Sequence, residues 1–153
     1  SRRGFAAGRD VDSNDEMSRL YVIESDYSVT GGMADHRLRL KSSEISSFAA
    51  ALALEMGVYS GDGGVHSSHA WISEIASDLR RAGSAGLVVA GSNQPVGVHA
   101  LAAAINAGIG AVGTTVTYLD VLDSSDQAAE MSQLMADMSA GNVDLVVTLG
   151  VNP

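Results

Sequence analysis

Residues 87–95 read Leu-Val-Val-Ala-Gly-Ser-Asn-Gln-Pro, and residues 145–153 read Leu-Val-Val-Thr-Leu-Gly-Val-Asn-Pro. Each stretch is a short apolar run, rich in β-branched residues, that is followed by Gly, Asn and Pro. Such runs predict buried strands of a parallel sheet, because strands covered on both faces are apolar throughout. The first stretch continues into a helical pattern, whereas the second ends the sequence. We therefore expect the chain to be a fragment of a larger protein.

The order of the other patterns predicts an α/β fold. Extended segments are predicted at residues 19–25, 35–40, 87–90, 115–119 and 143–149. Apolar residues at helical spacing predict helices that begin near Ser42, Trp71, Pro95 and Ser125. Strands that alternate with helices form βαβ units. We therefore expect a three-layer α/β sandwich with a mostly parallel, Rossmann-like sheet.

The predicted domain organisation is simple. Residues 1–18 are polar, mixed in charge and without a period, so we expect a linker or a tether to a neighbouring domain. Residues 19–153 are expected to form a single α/β domain. Within it, residues 58–68 are a Gly- and Ser-rich loop. Residues 1–18 and this loop are expected to be the least ordered parts of the chain.

Composition excludes several classes of protein. The chain has 153 residues, 46% hydrophobic and 18% charged, as in a single globular domain. Nine basic residues against eighteen acidic ones argue against a nucleic-acid partner. The absence of cysteine excludes disulfides and iron–sulfur clusters within this chain. No apolar run reaches the roughly 18–20 residues of a membrane span, so no direct membrane span is expected.

The loop Gly91-Ser92-Asn93-Gln94 is the first candidate site. It joins a predicted strand to a helix N-terminus, where free N–H groups favour an anion. Gly150 and Asn152 stand at the equivalent place after the last predicted strand. If a nucleotide-type cofactor binds, we expect contacts from Gly91, Ser92, Asn93, Gln94, Gly150 and Asn152. An ordinary βα turn is the alternative, because neither Gly-x-Gly-x-x-Gly nor a Walker pattern is present.

The histidines give no complete site. His66 and His69 have a spacing that metal ligands use, but only Asp62 is a nearby acid, so a solvated loop is the preferred interpretation. Residues 35–37, Asp-His-Arg, alternate in direction on an extended chain, which favours an ion pair or a loop anchor over a catalytic triad. His99 is expected on a helix surface. We predict no catalytic residue and no metal ligand.

The loops and their order resemble one protein family. The resemblance is carried by residues 30–38, 87–95, 99–101, 105–106, 110–113 and 149–153. These motifs are similar to those of the large iron–sulfur subunit of bacterial alternative complex III, a quinol-oxidising membrane complex. That subunit has a part similar to molybdopterin oxidoreductases, followed by a ferredoxin-like part. Gly-x-Asn-Pro after a strand is also similar to molybdopterin oxidoreductases at large.

The resemblance implies a molybdopterin-oxidoreductase-like domain of respiratory electron transport. In that family the domain has lost the molybdenum cofactor and serves as a non-catalytic scaffold, so we expect no metal, molybdopterin or cluster in this chain. Iron–sulfur clusters or molybdopterin would lie elsewhere in the full-length protein. The implied partners are other domains of the same chain and other subunits of a bacterial, membrane-associated complex, at the periplasmic face.

Two other functions stay open from the sequence. One is a fragment of a true molybdopterin oxidoreductase whose loops contact the cofactor. The other is a free-standing nucleotide-binding or hydrolytic α/β domain.

Overall fold

The computed structural model describes residues 2–10, 12–13, 17–64, 70–119 and 127–147 of the chain. Residues 1–117 form one compact unit and residues 118–153 form a second. In its described residues the chain is mixed α/β and mostly helical, with six α-helices and one two-stranded parallel sheet.

The first unit contains the sheet and five of the helices. Its elements are α1 (Arg2–Ala7), β1 (Tyr21–Glu24), α2 (Val29–Gly32), β2 (His36–Arg39), α3 (Ser42–Glu55), α4 (Ala70–Ala82) and α5 (Val96–Gly108). A 3-10 turn, Gly83–Ala85, follows α4 directly. The second unit contains α6 (Gln127–Ser139). The four helices predicted from apolar spacing are confirmed, with starts that agree within two residues.

The sheet confirms two of the predicted extended segments. β1 lies within the predicted residues 19–25, and β2 lies within the alternating residues 35–40. The two strands are parallel, with Tyr21 opposite His36 and Glu24 opposite Arg39. The predicted parallel relation of neighbouring strands therefore holds for this pair.

The core of the first unit is centred on α3. This helix packs against α4 on one side and α5 on the other. Phe48 and Leu52 of α3, Ile72 and Ile75 of α4 and Ile105 of α5 are all buried in one cluster. Burial of a side chain of this size contributes about 1.5–3 kcal/mol, so these helix contacts supply most of the apolar stabilisation. The sheet residues Tyr21, Ile23 and Leu38 pack against the same cluster.

The larger predicted sheet is not formed in the described residues. Residues 87–90, which were predicted to be a strand, have no regular secondary structure. Around the predicted strand 115–119 there is only an isolated parallel bridge, between Val112 and Val116. Residues 143–147 have no regular strand, and residues 148–149 lie outside the described residues. A two-stranded sheet with helices therefore stands in place of the expected three-layer sandwich.

The second unit exposes apolar side chains on α6 and after it. The stripe predicted for this helix is exposed at Met131, Leu134, Met135 and Met138. Leu145 and Val147, which follow the helix, are also largely exposed. In the described part of the chain, no helix has both the length and the apolar character needed to cross a bilayer.

Candidate functional site

An open groove of about 1740 Å³ lies in the first unit, between β1 and residues 86–94. Apolar side chains of three helices line it: Phe48 of α3, Ile75 of α4 and Ile105 of α5 contribute to its floor. The groove is open to solvent, so it is a surface feature and not an internal void.

The predicted loop Gly91-Ser92-Asn93-Gln94 forms part of one wall of this groove. The Gln94 N–H donates to the Gly91 carbonyl at 3.0 Å, which closes a tight turn. Pro95 was predicted to be the first helical residue but is the N-cap of α5, which starts one position later, and no side chain caps the helix. The loop is thus the predicted turn before a helix. Its last N–H is already used within the turn.

Several predicted site residues lie outside the described part of the chain. Gly150 and Asn152, the second half of the predicted loop pair, are among them, as are His66 and His69. The joint cofactor site of the two loops therefore stays a prediction. His99, by contrast, is exposed on α5, as expected for a helix-surface residue.

The buried amide of Asn106 is the polar residue that the sequence patterns did not reveal. It is 5% exposed, within the core face of α5. Its Nδ2 donates to the Val88 carbonyl at 2.8 Å, and the Val88 N–H donates to its Oδ1 at 2.8 Å. The side chain therefore takes the place of a neighbouring strand for Val88. A polar residue next to Ile105 in an apolar stripe was the available signal.

Backbone groups of β1 alternate between β2 and the groove. The His36 N–H donates to the Leu20 carbonyl, and the Leu40 N–H donates to the Glu24 carbonyl, each at 3.1 Å. Even-numbered residues of this segment therefore face β2. In a strand, the residues between them direct their backbone groups to the opposite edge. Tyr21 and Ile23 consequently present their N–H and carbonyl groups on the groove side.

Asp35 anchors the N-terminal segment to the start of β1. The Arg9 guanidinium donates to both of its carboxylate oxygens, at 2.6 and 2.8 Å, and the Leu20 N–H donates at 2.8 Å. The bond from Arg9 is the main reason that the pKa of Asp35 is lowered to about 2. The predicted loop anchor at residues 35–37 is thereby confirmed.

Arg37 makes a second ion pair on the same side of the sheet. Its Nε donates to Glu24 at 2.6 Å, and its guanidinium lies 4.7 Å from the centre of the Tyr27 ring. A hydroxyl bond from Ser28, followed by the bond from Arg37, lowers the pKa of Glu24. His36 between these ion pairs stacks on Tyr21 with ring centres 4.7 Å apart, so it serves in packing.

A third carboxylate, Asp78 of α4, ties that helix to β1. It accepts a hydrogen bond from the Tyr21 hydroxyl at 2.7 Å and from Arg19 at 2.6 Å. Arg81, one turn further along α4, also contacts it. The carboxylates at this end of the groove are therefore used in holding elements together.

The residues present do not fit an iron–sulfur cluster or a thiolate-bound molybdenum, because the chain has no cysteine. Within the described ranges, no group of three or more His, Asp or Glu side chains is placed to hold a metal ion. The sequence matches no protein-family model, and no curated protein is significantly similar to it. Its function is therefore inferred from its own contacts.

Proposed function

We propose that the chain is a non-catalytic structural domain of a molybdopterin-oxidoreductase-like iron–sulfur subunit in a bacterial, quinol-oxidising respiratory complex. The family comes from the sequence resemblance. The structural observation that supports a non-catalytic role is a contrast within the first unit. Carboxylates suited to acid–base chemistry are held in ion pairs, whereas a large apolar groove is left open. The redox centres of the complex are proposed to lie outside this chain.

The ion pairs support a structural role because they remove candidate bases. A general base must reach a substrate proton and have a pKa near the working pH. Asp35, with a pKa of about 2 and three bonds from Arg9 and Leu20, meets neither condition. Glu24 and Asp78 are likewise bound to arginines.

The exposed apolar surface supports a role in assembly. Large exposed apolar patches on soluble domains mark surfaces that bind other proteins or ligands. In the first unit Val89 is 76% exposed beside the groove, and in the second unit Met135 is 62% exposed on α6. Val89 lies in a run predicted to be a buried strand, and Met135 lies on the apolar stripe predicted for α6. Partners are accordingly proposed to be other domains of the same chain and other subunits.

We infer that residues 86–90 become a strand of a parallel, Rossmann-like sheet once the groove is filled, with helices on both faces. The apolar sequence of these residues suits such a buried strand. The periplasmic face of the membrane is the proposed location.

Affinity purification from the bacterium that carries the gene tests the function. A tagged copy is expected to co-purify from solubilised membranes with an iron–sulfur protein and quinol-oxidising activity. The double substitution S92A/N93A is expected to leave that activity unchanged, because a scaffold loop contacts no reacting cofactor. A tagged chain that stays separate from every redox subunit would contradict the proposal. Molybdopterin released from the purified chain would favour a true molybdopterin enzyme.

A further inference from the structure

We propose that the groove accepts one additional β-strand from a neighbouring polypeptide, inserted between β1 and residues 86–90 and bonded to both. The inference deepens the proposed scaffold role, on which it rests for the source of the strand: a partner subunit.

Backbone hydrogen-bonding groups are available on both walls. On one wall, Tyr21 and Ile23 face away from β2, because their even-numbered neighbours bond to it. On the other wall, the N–H and carbonyl of Val88 are both directed at Asn106. In an extended segment, Leu87 and Val89 then direct their groups to the opposite side. An extended backbone is the ligand that can bond to two such walls at once.

The two outer edges of the sheet differ in a way that favours an occupant beside β1. β2 carries Arg37 and Arg39, and charged side chains on an edge strand prevent further pairing. β1 reads Tyr-Val-Ile-Glu, an apolar sequence typical of a central strand. The sheet is thus protected on one side and open on the other.

Size and shape select the occupant. The groove volume of about 1740 Å³ exceeds the roughly 300–1,000 Å³ of a small-molecule site, which points to a polypeptide segment. In a second copy of the first unit, β1 lies inside an identical groove, which favours a separate strand as the occupant. The exposed apolar side chains of Leu87 and Val89, which line the groove, favour an apolar strand as its occupant.

Peptide binding to the 153-residue chain tests the inference. The probe is acetyl-Lys-Thr-Val-Ile-Val-Thr-Lys-amide, and the control peptide carries N-methyl groups on both valines. At saturation with the probe, amide exchange at Ile23 and Val89 is expected to slow about tenfold or more. Val22 and Val88, whose N–H groups face β2 and Asn106, are expected to change less. Since each lost hydrogen bond costs about 1 kcal/mol, N-methylation is expected to weaken binding about tenfold or more.

A pair of proline variants gives a second measurement. Val89→Pro removes one N–H that faces the groove and is expected to weaken the probe about fivefold. Val96→Pro, at the first position of α5 where proline is well tolerated, lies outside the groove and is expected to leave binding unchanged.

Three outcomes would overturn the inference. Ile23 and Val89 amides that are already protected in the free chain would mean that residues 86–90 pair directly with β1. Binding that N-methylation leaves unchanged would reduce the groove to an apolar contact. Self-association that competes with the probe would assign the groove to a second copy. Peptide binding is measured without the respiratory complex, so its failure is separable from a failure of co-purification.

Discussion

The two edges of β1 are held by different interactions. Toward β2, backbone pairing is reinforced by ion pairs from Arg9 to Asp35 and from Arg37 to Glu24. Toward residues 86–90, an open groove separates the two segments, and residues 86–90 are bonded to Asn106 of α5 through Val88 and to the Thr115 hydroxyl through the Gly86 carbonyl. Among the described residues, the first edge is paired with β2, whereas no strand is paired with the second.

The difference shows how two kinds of polar residue are used. Partly buried ion pairs fix loops next to a strand edge whose backbone is already paired. A buried amide satisfies backbone groups that would otherwise lose water without gaining a partner. The open edge should therefore depend on fewer residues, and each of them should matter more.

Truncation of the groove floor is expected to have the largest effect. Ile105 is 1% exposed between α5 and α3, so Ile105→Ala should lower the free energy of unfolding by about 3 kcal/mol. Urea denaturation measures it. Val96→Ala, at an exposed position of the same helix, serves as the control. Equal effects of the two substitutions would mean that Ile105 is not part of the hydrophobic core.

Loss of the Asn106 amide is expected to come next. Asn106→Leu keeps the volume but leaves the Val88 N–H and carbonyl without partners, at a cost of about 2–3 kcal/mol. Asn93→Ala, in the exposed loop, should change stability by less than about 0.5 kcal/mol. Amide exchange at Val88 reports the lost bond directly. If Val88 exchanges equally slowly in Asn106→Leu, another group holds the open edge.

Much of the helical fold could be predicted from the sequence, because apolar spacing and turn residues act locally. Helices α3, α4 and α5 start within two residues of their predicted positions. The apolar run at residues 87–90 was predicted to be a buried strand, but it is not one in the structure, because strand pairing depends on a neighbour that local patterns do not specify. The amide of Asn106 in α5 occupies one side of this segment.

The candidate site was predictable only in its local part. The turn at residues 91–94 before α5 follows from Gly, Asn and Pro at fixed spacing. The ion pairs were foreseen for residues 35–37 because alternation excludes a shared target. Asn106 was missed, since one polar residue in an apolar stripe does not reveal which distant backbone it meets.

At the edge of β1 that faces β2, called the closed edge below, Asp35 gives the strongest expected pH dependence. Its pKa is lowered to about 2, so it stabilises the fold above the ordinary pKa of a carboxyl and loses that effect as the pH falls toward 2. Asp35→Asn should cost about 1–2 kcal/mol at pH 7 and flatten the loss of stability between about pH 4 and pH 2.

Thermal unfolding at several pH values measures this effect. Asp12→Asn, at an exposed carboxylate near α1, is the matched control and should leave the acid slope unchanged. An acid slope that is as steep in Asp35→Asn as in the unsubstituted chain would show that the Arg9 contact does not stabilise the closed edge.

The second ion pair of the closed edge should contribute less. Glu24→Gln weakens the bonds from Arg37 and Ser28, and we expect a smaller loss of stability than for Asp35→Asn. Glu55→Gln removes a charge from a pair with Arg80 that is about half exposed and 3.7 Å long, and should cost less than about 0.5 kcal/mol. The difference should shrink at high salt. A larger loss for Glu55→Gln than for Glu24→Gln would mean that the Glu24–Arg37 pair is no more important than an exposed surface pair.

The smallest effect is expected in the loop at the end of the open edge. Gly91 and Gly110 both have open space around the position of a Cβ atom, but only Gly110 has a positive φ, +74°. Gly110→Ala should therefore cost about 1–2 kcal/mol, since left-handed backbone is unfavourable for alanine. Gly91→Ala should change the free energy of unfolding by less than about 0.5 kcal/mol, and it can be slightly stabilising because the unfolded chain loses freedom. Urea denaturation of both variants makes the comparison. A clear loss of stability for Gly91→Ala would mean that the loop at residues 91–94 adopts a backbone conformation that alanine cannot adopt. It would strengthen the case that residues 91–94 close around a ligand.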